Sequence, residues 1–243
     1  FPGRPTKDEH CHPLDTIRYH YDKNKADIQT KLNVMTIVAG EQQTMNFYMN
    51  VCNRSEDKLS RRLYQEIGMI EEQHVSHYES LADPQMTWFE RMLMHEYNEC
   101  YLYYSCMQTE EDTRIRQIWE HHLDMEIGHL QAAAEMLKKY ENTEAESLLP
   151  DSFPEITKFE SNKDYVRQVL ASQVDLTGDG MSYANVNELP DDARYFHYQK
   201  TVNDGMVPST EVIDKHLDQF GHEYRISTEG DHPVERLREK QHV

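Results

Sequence analysis

The sequence predicts an all-α chain organised around a four-helix bundle with a partly irregular C-terminal extension, and three observations carry that expectation. From Lys23 to Tyr140 the only proline is Pro84, and glycine occurs only at positions 40, 68 and 128, so little interrupts helix propagation. Polar breaks near Asn53-Arg54-Ser55, Ala82-Asp83-Pro84 and Gln108-Thr109 divide this stretch into four. Finally, the first half of the stretch is repeated in the second: moving 55 positions along from Glu41, Glu71 and His74 lands on Glu96, Glu126 and His129.

The breaks place helices near 23–52, 56–82, 85–108 and 110–140. Ser55 stands where it can cap the second helix, with Asp57 and Lys58 behind it. Thr87 with Glu90 has capping-box spacing at the start of the third. Thr109 precedes Glu110, Glu111 and Asp112, which complement the positive end of the fourth helix dipole. Residues 1–22 then form an arm, 23–141 the bundle and 142–243 an extension. Within the extension, Leu148 to Pro154 reads as a loop, and Asn162 to Val174 and Thr210 to Phe220 as helices. Asp175-Leu-Thr-Gly-Asp-Gly opens like a calcium loop, but Val186 occupies the position where a bidentate Glu is required, so a turn is expected. From Asn187 onward, Pro190, Pro208 and Pro233 stand among many Asp, Glu and His residues. That composition offers little core material and suggests a tail wrapping the bundle or a neighbouring subunit of a homo-oligomer.

The repeat reaches beyond the acidic and histidine positions. Tyr48 corresponds to Tyr103, Glu56-Asp57 to Glu111-Asp112, Arg61 to Arg116, Tyr64 to Trp119 and Ile70 to Met125, the signature of a duplicated helical hairpin. In a chain with 14 His and 44 acidic residues, one Glu-x-x-His spacing carries little information. Two in register, each preceded at the same interval by another Glu, carry much more. Residues three apart share a helix face, so Glu71 with His74 and Glu126 with His129 can each direct two ligand atoms at one metal ion. The same faces carry Leu63, Ile67, Ile70 and Tyr78 around Glu71, and Ile118, His122, Met125 and Ala133 around Glu126. Carboxylates buried there without a partner would be costly, and a metal ion removes that cost. His77, His95, His121 and His122 have no repeat partner and read as surface or satisfied core residues.

On the residues Glu41, Glu71-Glu-Gln-His74, Glu96-Tyr-Asn-Glu99 and Glu126-Ile-Gly-His129, the chain resembles the ferritin-like superfamily, and in site pattern rubrerythrin-type proteins. The resemblance covers residues 30–140. It implies a centre of two iron ions, with manganese as the alternative, in which His74 and His129 contact different ions and Glu71 and Glu126 bridge. It also implies that Glu99, one turn after Glu96, is an additional carboxylate ligand that exchanges with a His as iron changes oxidation state. The chemistry implied is reduction of peroxide or dioxygen with electrons from an external donor. Tyr48 and Tyr103 follow a ligand Glu by seven residues on the same face, about 10 Å along the helix. They offer a hydrogen bond or a one-electron relay beside the site, or fill the core with the hydroxyl paired.

Two features depart from the family. The cysteines, Cys11, Cys52, Cys100 and Cys106, contain no Cys-x-x-Cys spacing, so a rubredoxin-like iron site is not expected. The stretch from Glu71 to Glu96 is also short for a fold that usually carries a long crossover between its second and third helices. About eight extended residues at roughly 3.3 Å each could just return along a bundle; otherwise the order is up-down-up-down.

Composition narrows the remaining classes. A net charge of −19 argues against nucleic-acid binding and adhesion to anionic membranes, and favours attraction of cations. No apolar run is long enough to span a bilayer, no signal-peptide pattern is read before Asp15, and the irregular cysteine spacing suggests reduced thiols and a cytoplasmic setting. His10-Cys11-His12 lacks a fourth ligand nearby and reads as an incidental arm. The expected function is a di-metal oxidoreductase. Its alternatives are a ferroxidase or iron-storage protein and a di-iron oxygenase acting on an organic substrate.

Overall fold

In a computed structural model of the chain, residues 11–15, 19–158, 161–173, 175–203 and 205–221 are described. These residues are mostly helical, with seven α-helices and one two-stranded sheet. The arm residue His10 and the tail beyond Gly221, including Pro233, lie outside the described residues.

Aspartates set the starts of three of the four long helices, and this moves the expected boundaries. Helix α1 (Ile28–Cys52) begins later than the expected position 23, because Asp22 O accepts Lys25 N–H and Ala26 N–H in a preceding turn and the Asp27 carboxylate accepts Thr30 N–H as cap. Helix α2 (Lys58–Glu79) is capped by Asp57, which accepts Ser60 N–H at 2.6 Å, rather than by Ser55, whose hydroxyl donates to Asp57 O. Helix α3 (Trp88–Thr109) has the expected Thr87–Glu90 capping box. Helix α4 (Thr113–Glu141) is capped by Asp112, which accepts from Arg114 N–H and Ile115 N–H, and ends at Asn142 in the left-handed conformation that Asn tolerates.

Helix α1 packs along α2 and α3 along α4, so the duplicated unit is an antiparallel hairpin. Both hairpin bends are fastened in the same way. Arg61 donates from Nε and Nη2 to Ser55 O at 3.1 and 2.6 Å, and Arg116 donates from the same atoms to Glu110 O at 3.0 and 2.6 Å. The connection between α2 and α3 is folded into turns by Leu81 N–H to Tyr78 O, Ala82 N–H to Glu79 O and Met86 N–H to Asp83 O. A folded connection of this length cannot return along a helix, so the long-crossover alternative gives way to the short one. The two hairpins meet where Leu32 of α1 packs on Met94, Tyr97 and Tyr101 of α3, with Thr36 Oγ1 3.2 Å from Asn98 Oδ1. Leu93, Ala133 and Leu137 form a second core inside the α3–α4 hairpin.

The extension covers the two hairpins with different segments. Phe153 lies against the rings of Tyr97, Tyr101 and Tyr104, and the Tyr101 hydroxyl donates to Glu155 O at 2.8 Å. After α5 (Lys163–Gln173), the segment expected to be a simple turn forms strands β1 (Leu176–Asp179) and β2 (Ser182–Asn185), paired antiparallel from Leu176–Asn185 to Asp179–Ser182. The arm crosses this hairpin so closely that a Cβ at Gly178 would stand 2.3 Å from Asp15 O. The buried Asp15 carboxylate accepts Gly180 N–H and pairs with Arg194. The region expected to lack core material contributes α6 (Arg194–Asn203) and α7 (Pro208–Phe220), with Tyr195 and Ile213 buried. Helix α7 packs on α2. Among the described residues, no helix is long and apolar enough to cross a membrane.

Candidate metal centre

Six of the seven expected metal ligands are gathered, three by each hairpin. Glu41 of α1 meets Glu71 and His74 of α2, and Glu96 of α3 meets Glu126 and His129 of α4; in each group the candidate ligand atoms all lie within 4.8 Å of one another. The placement follows from local rules. One residue comes from the first helix of an antiparallel pair, and two residues three apart come from the facing stripe of the second.

In the first triad His74 Nδ1 lies 2.8 Å from Glu41 Oε2 and 3.3 Å from Glu71 Oε2. In the second, His129 Nδ1 lies 2.8 Å from Glu126 Oε2 and 3.9 Å from Glu96 Oε2. The surroundings differ more than the ligands do. The His74 side chain is 18% exposed and that of His129 57%. Ile67 and Ile70 are buried beside the first triad as the sequence predicts, but Ile118 and Met125 beside the second are exposed, contrary to the expected apolar face.

Electrostatics tie the first triad together. Burial pushes the Glu41 carboxyl up, while burial of Glu71 is outweighed by hydrogen bonds from His74, Glu41 and Thr44 that hold it at about 2. Of the two, Glu41 therefore holds a proton more firmly than Glu71, the usual direction when two carboxylates share a site. In the second triad burial raises Glu96, with the Glu126 charge adding to it, and the hydrogen bond to Glu126 raises His129. Cys100, fully buried one turn after Glu96, is pushed up to about 12 by burial and by the Glu126 and Glu96 charges, so it remains a thiol. All four cysteines are free, in keeping with the expectation of reduced thiols.

Glu99, Tyr48 and Tyr103 stand beside the triads and are not among the three ligands of either. Glu99 is half-buried, and its charge, after burial, raises the Tyr103 hydroxyl. Tyr48 is likewise raised by burial and then by Glu71. Each tyrosine lies against the aromatic residue of its own hairpin: Tyr48 stacks on Tyr64 at 6.1 Å between centroids, and Tyr103 faces Trp119 at 6.3 Å. His77 is buried against Tyr78, and His95 and His121 are exposed. His122 departs from the expectation of a satisfied side chain, because among the described residues its buried Nδ1 has no hydrogen-bond partner, while the ring meets Tyr103 edge-on.

Thr44 was not singled out by the sequence. Its hydroxyl donates to Glu71 Oε2 at 3.0 Å, and it occupies the repeat position of Glu99. The available signal was its place three residues after Glu41, on the same face.

Fold and site together define a mostly helical chain with two carboxylate–histidine groups able to hold metal ions. Comparison with models of known families, with curated proteins and with solved structures finds no match to the chain.

Proposed function

We propose that the two triads hold two iron ions, or manganese ions, within a ferritin-like four-helix arrangement, and that the chain is a rubrerythrin-like oxidoreductase reducing peroxide or dioxygen with electrons from an external donor. The observation that supports this reading is the same two-carboxylate, one-imidazole set on both hairpins, each with its ligand atoms within 4.8 Å. Mixed oxygen and nitrogen donors suit ferrous and manganous ions, and such an ion, when bound, supplies one-electron chemistry toward peroxide.

The chain's own groups have defined tasks in this reading. Glu41 and Glu71 serve as ligands in their ionised form, and the Thr44 hydroxyl holds Glu71 in place. Glu99 stands one turn from Glu96 as a reserve of negative charge. Tyr48 and Tyr103 keep their protons at neutral pH and can each donate a hydrogen bond toward the adjacent carboxylates.

Anaerobic reconstitution with ferrous iron, elemental analysis and stopped-flow oxidation by peroxide test the proposal. Bound iron oxidised by peroxide is the expected result, and no more than a trace of metal after reconstitution overturns it. A largely apolar cavity lined by Gln42 and His95, the chain neighbours of Glu41 and Glu96, favours a second reading, oxygenation of an organic substrate. Incorporation of labelled oxygen into an organic product separates the two.

A further inference from the structure

Between α1, the α2–α3 connection and the start of α3 lies a cavity of about 190 Å³. Val34, Met35, Val38 and Met86 give it apolar walls, and Arg91 brings a guanidinium to it. Arg91 is half-buried, and its Nη2 contact is a weak one, 3.5 Å to Asp83 O. Among the described residues no carboxylate pairs with it within 4.0 Å, although the chain carries a large excess of acid. Glu79, the acidic residue of the lining, is exposed.

We infer that this cavity is a binding site for a small organic monocarboxylate with a compact apolar body, its carboxylate taken by Arg91. Size supports this class, since a cavity of about 150 Å³ holds a benzene ring, and the remaining space admits one carboxylate. Charge supports it as well: a guanidinium presents a planar fork of donors that matches two carboxylate oxygens, and the apolar walls beside it suit the ligand's apolar body. A phosphate would leave those walls uncovered.

The position gives the site its significance. Gln42 and His95 also line the cavity, and they neighbour Glu41 and Glu96 in the chain, so the space adjoins the two helices that supply the single carboxylates of the triads. A bound acid is thereby held within a few helical turns of both. Its role as a substrate rests on the metal reading, but its binding does not.

Calorimetric titration of the full chain, stripped of metal with chelator, uses benzoate as probe and benzamide as its neutral counterpart. Benzoate should bind about tenfold or more tightly than benzamide, the scale of one charge-assisted interaction. Arg91→Met, which keeps the apolar stem, should lose that preference while its circular dichroism and iron uptake stay unchanged. Equal binding of the two probes, or no binding of benzoate to the wild-type chain, overturns the inference without needing any variant. Benzoate preference in a chain that takes up no iron would leave this site standing and remove the metal reading; iron uptake with no benzoate preference would do the reverse.

Discussion

The α1–α2 and α3–α4 hairpins are two versions of one unit, and they agree most closely where the geometry is local. The aspartate caps, the arginines closing each bend and the paired aromatic rings all recur, whereas the 2.8 Å histidine contact crosses to Glu41 in the first hairpin and stays on its own helix, at Glu126, in the second. They diverge where the surroundings decide. In the first hairpin Gly68 lets Met49 approach to 3.1 Å of where a Cβ would stand; Leu123 takes that place in the second. Thr44 and Met45 become Glu99 and Cys100. The first triad is therefore enclosed and held by a hydroxyl, while the second is open on its histidine side and carries extra acid. Duplication has preserved the ligand set and released the environment, so the two triads should differ in affinity and reactivity.

Deleting one histidine from each hairpin should have the largest effect. His74 already lies within 3.3 Å of both its carboxylates, whereas His129 must close a 3.9 Å gap to Glu96 and lose its exposure. The first equivalent of ferrous iron should accordingly enter the first hairpin. His74→Ala should remove this tighter equivalent and His129→Ala the weaker one, each variant retaining about one ion, as elemental analysis with titration would record. Loss of all metal from either variant would break the comparison and show the six ligands acting as one bridged centre.

The Thr44–Glu99 pair should give the next largest effect. Groups that orient ligands without being the main ones contribute about 10–100-fold. Thr44→Val should weaken metal binding in the first hairpin by about that factor, because Glu71 loses its hydroxyl donor. Glu99→Ala should leave metal loading intact, since Glu96, Glu126 and His129 remain, but slow oxidation of the ferrous protein by peroxide about 10–100-fold. Equal rates at equal metal occupancy would remove Glu99 from the chemistry and favour storage or oxygenation.

These contrasts show what could be read from sequence. The triads were legible because they need only a helical period and a repeat; the Thr87–Glu90 capping box was legible for the same reason. Ser55 looked like a cap, but Asp57 offered a charged acceptor at the right place, and spacing alone does not rank the two. Strands β1 and β2 are four residues each, too short to show alternation, and their turn is held by Asp15, far away in the chain, which Arg194 in turn pairs with. The exposure of Ile118 and Met125 was not legible either, because an apolar stripe states what a helix could bury and not whether a neighbour covers it. Arg91 gained meaning only when α1 and the α2–α3 connection were seen to wall it in.

The smallest expected difference concerns how the first hairpin is strapped from outside. Glu66 of α2 is 4% exposed and accepts Ser209 N–H at 2.8 Å and the Ser209 hydroxyl at 3.1 Å, fixing the first turn of α7, while Arg62 donates to Met206 O at 2.7 Å. The corresponding position of the second hairpin is the exposed His121, with no such strap among the described residues. Burial pushes the Glu66 carboxyl up, and the Ser209 hydrogen bonds and the Arg62 charge offset that only in part. A carboxyl raised in the folded state contributes stability that is fully present below its unfolded value of about 4.3 and is lost as pH rises through the folded value. Glu66→Gln keeps an acceptor for Ser209 and cannot ionise, so this loss should disappear. Unfolding free energies of the two proteins in urea should converge near pH 4 and separate in favour of the variant as pH rises toward 7, with amide exchange showing the gain in α7. A difference that stays constant across that range would mean that the ionised Glu66 is fully compensated by Ser209 and Arg62, and that the strap on the first hairpin does not respond to pH.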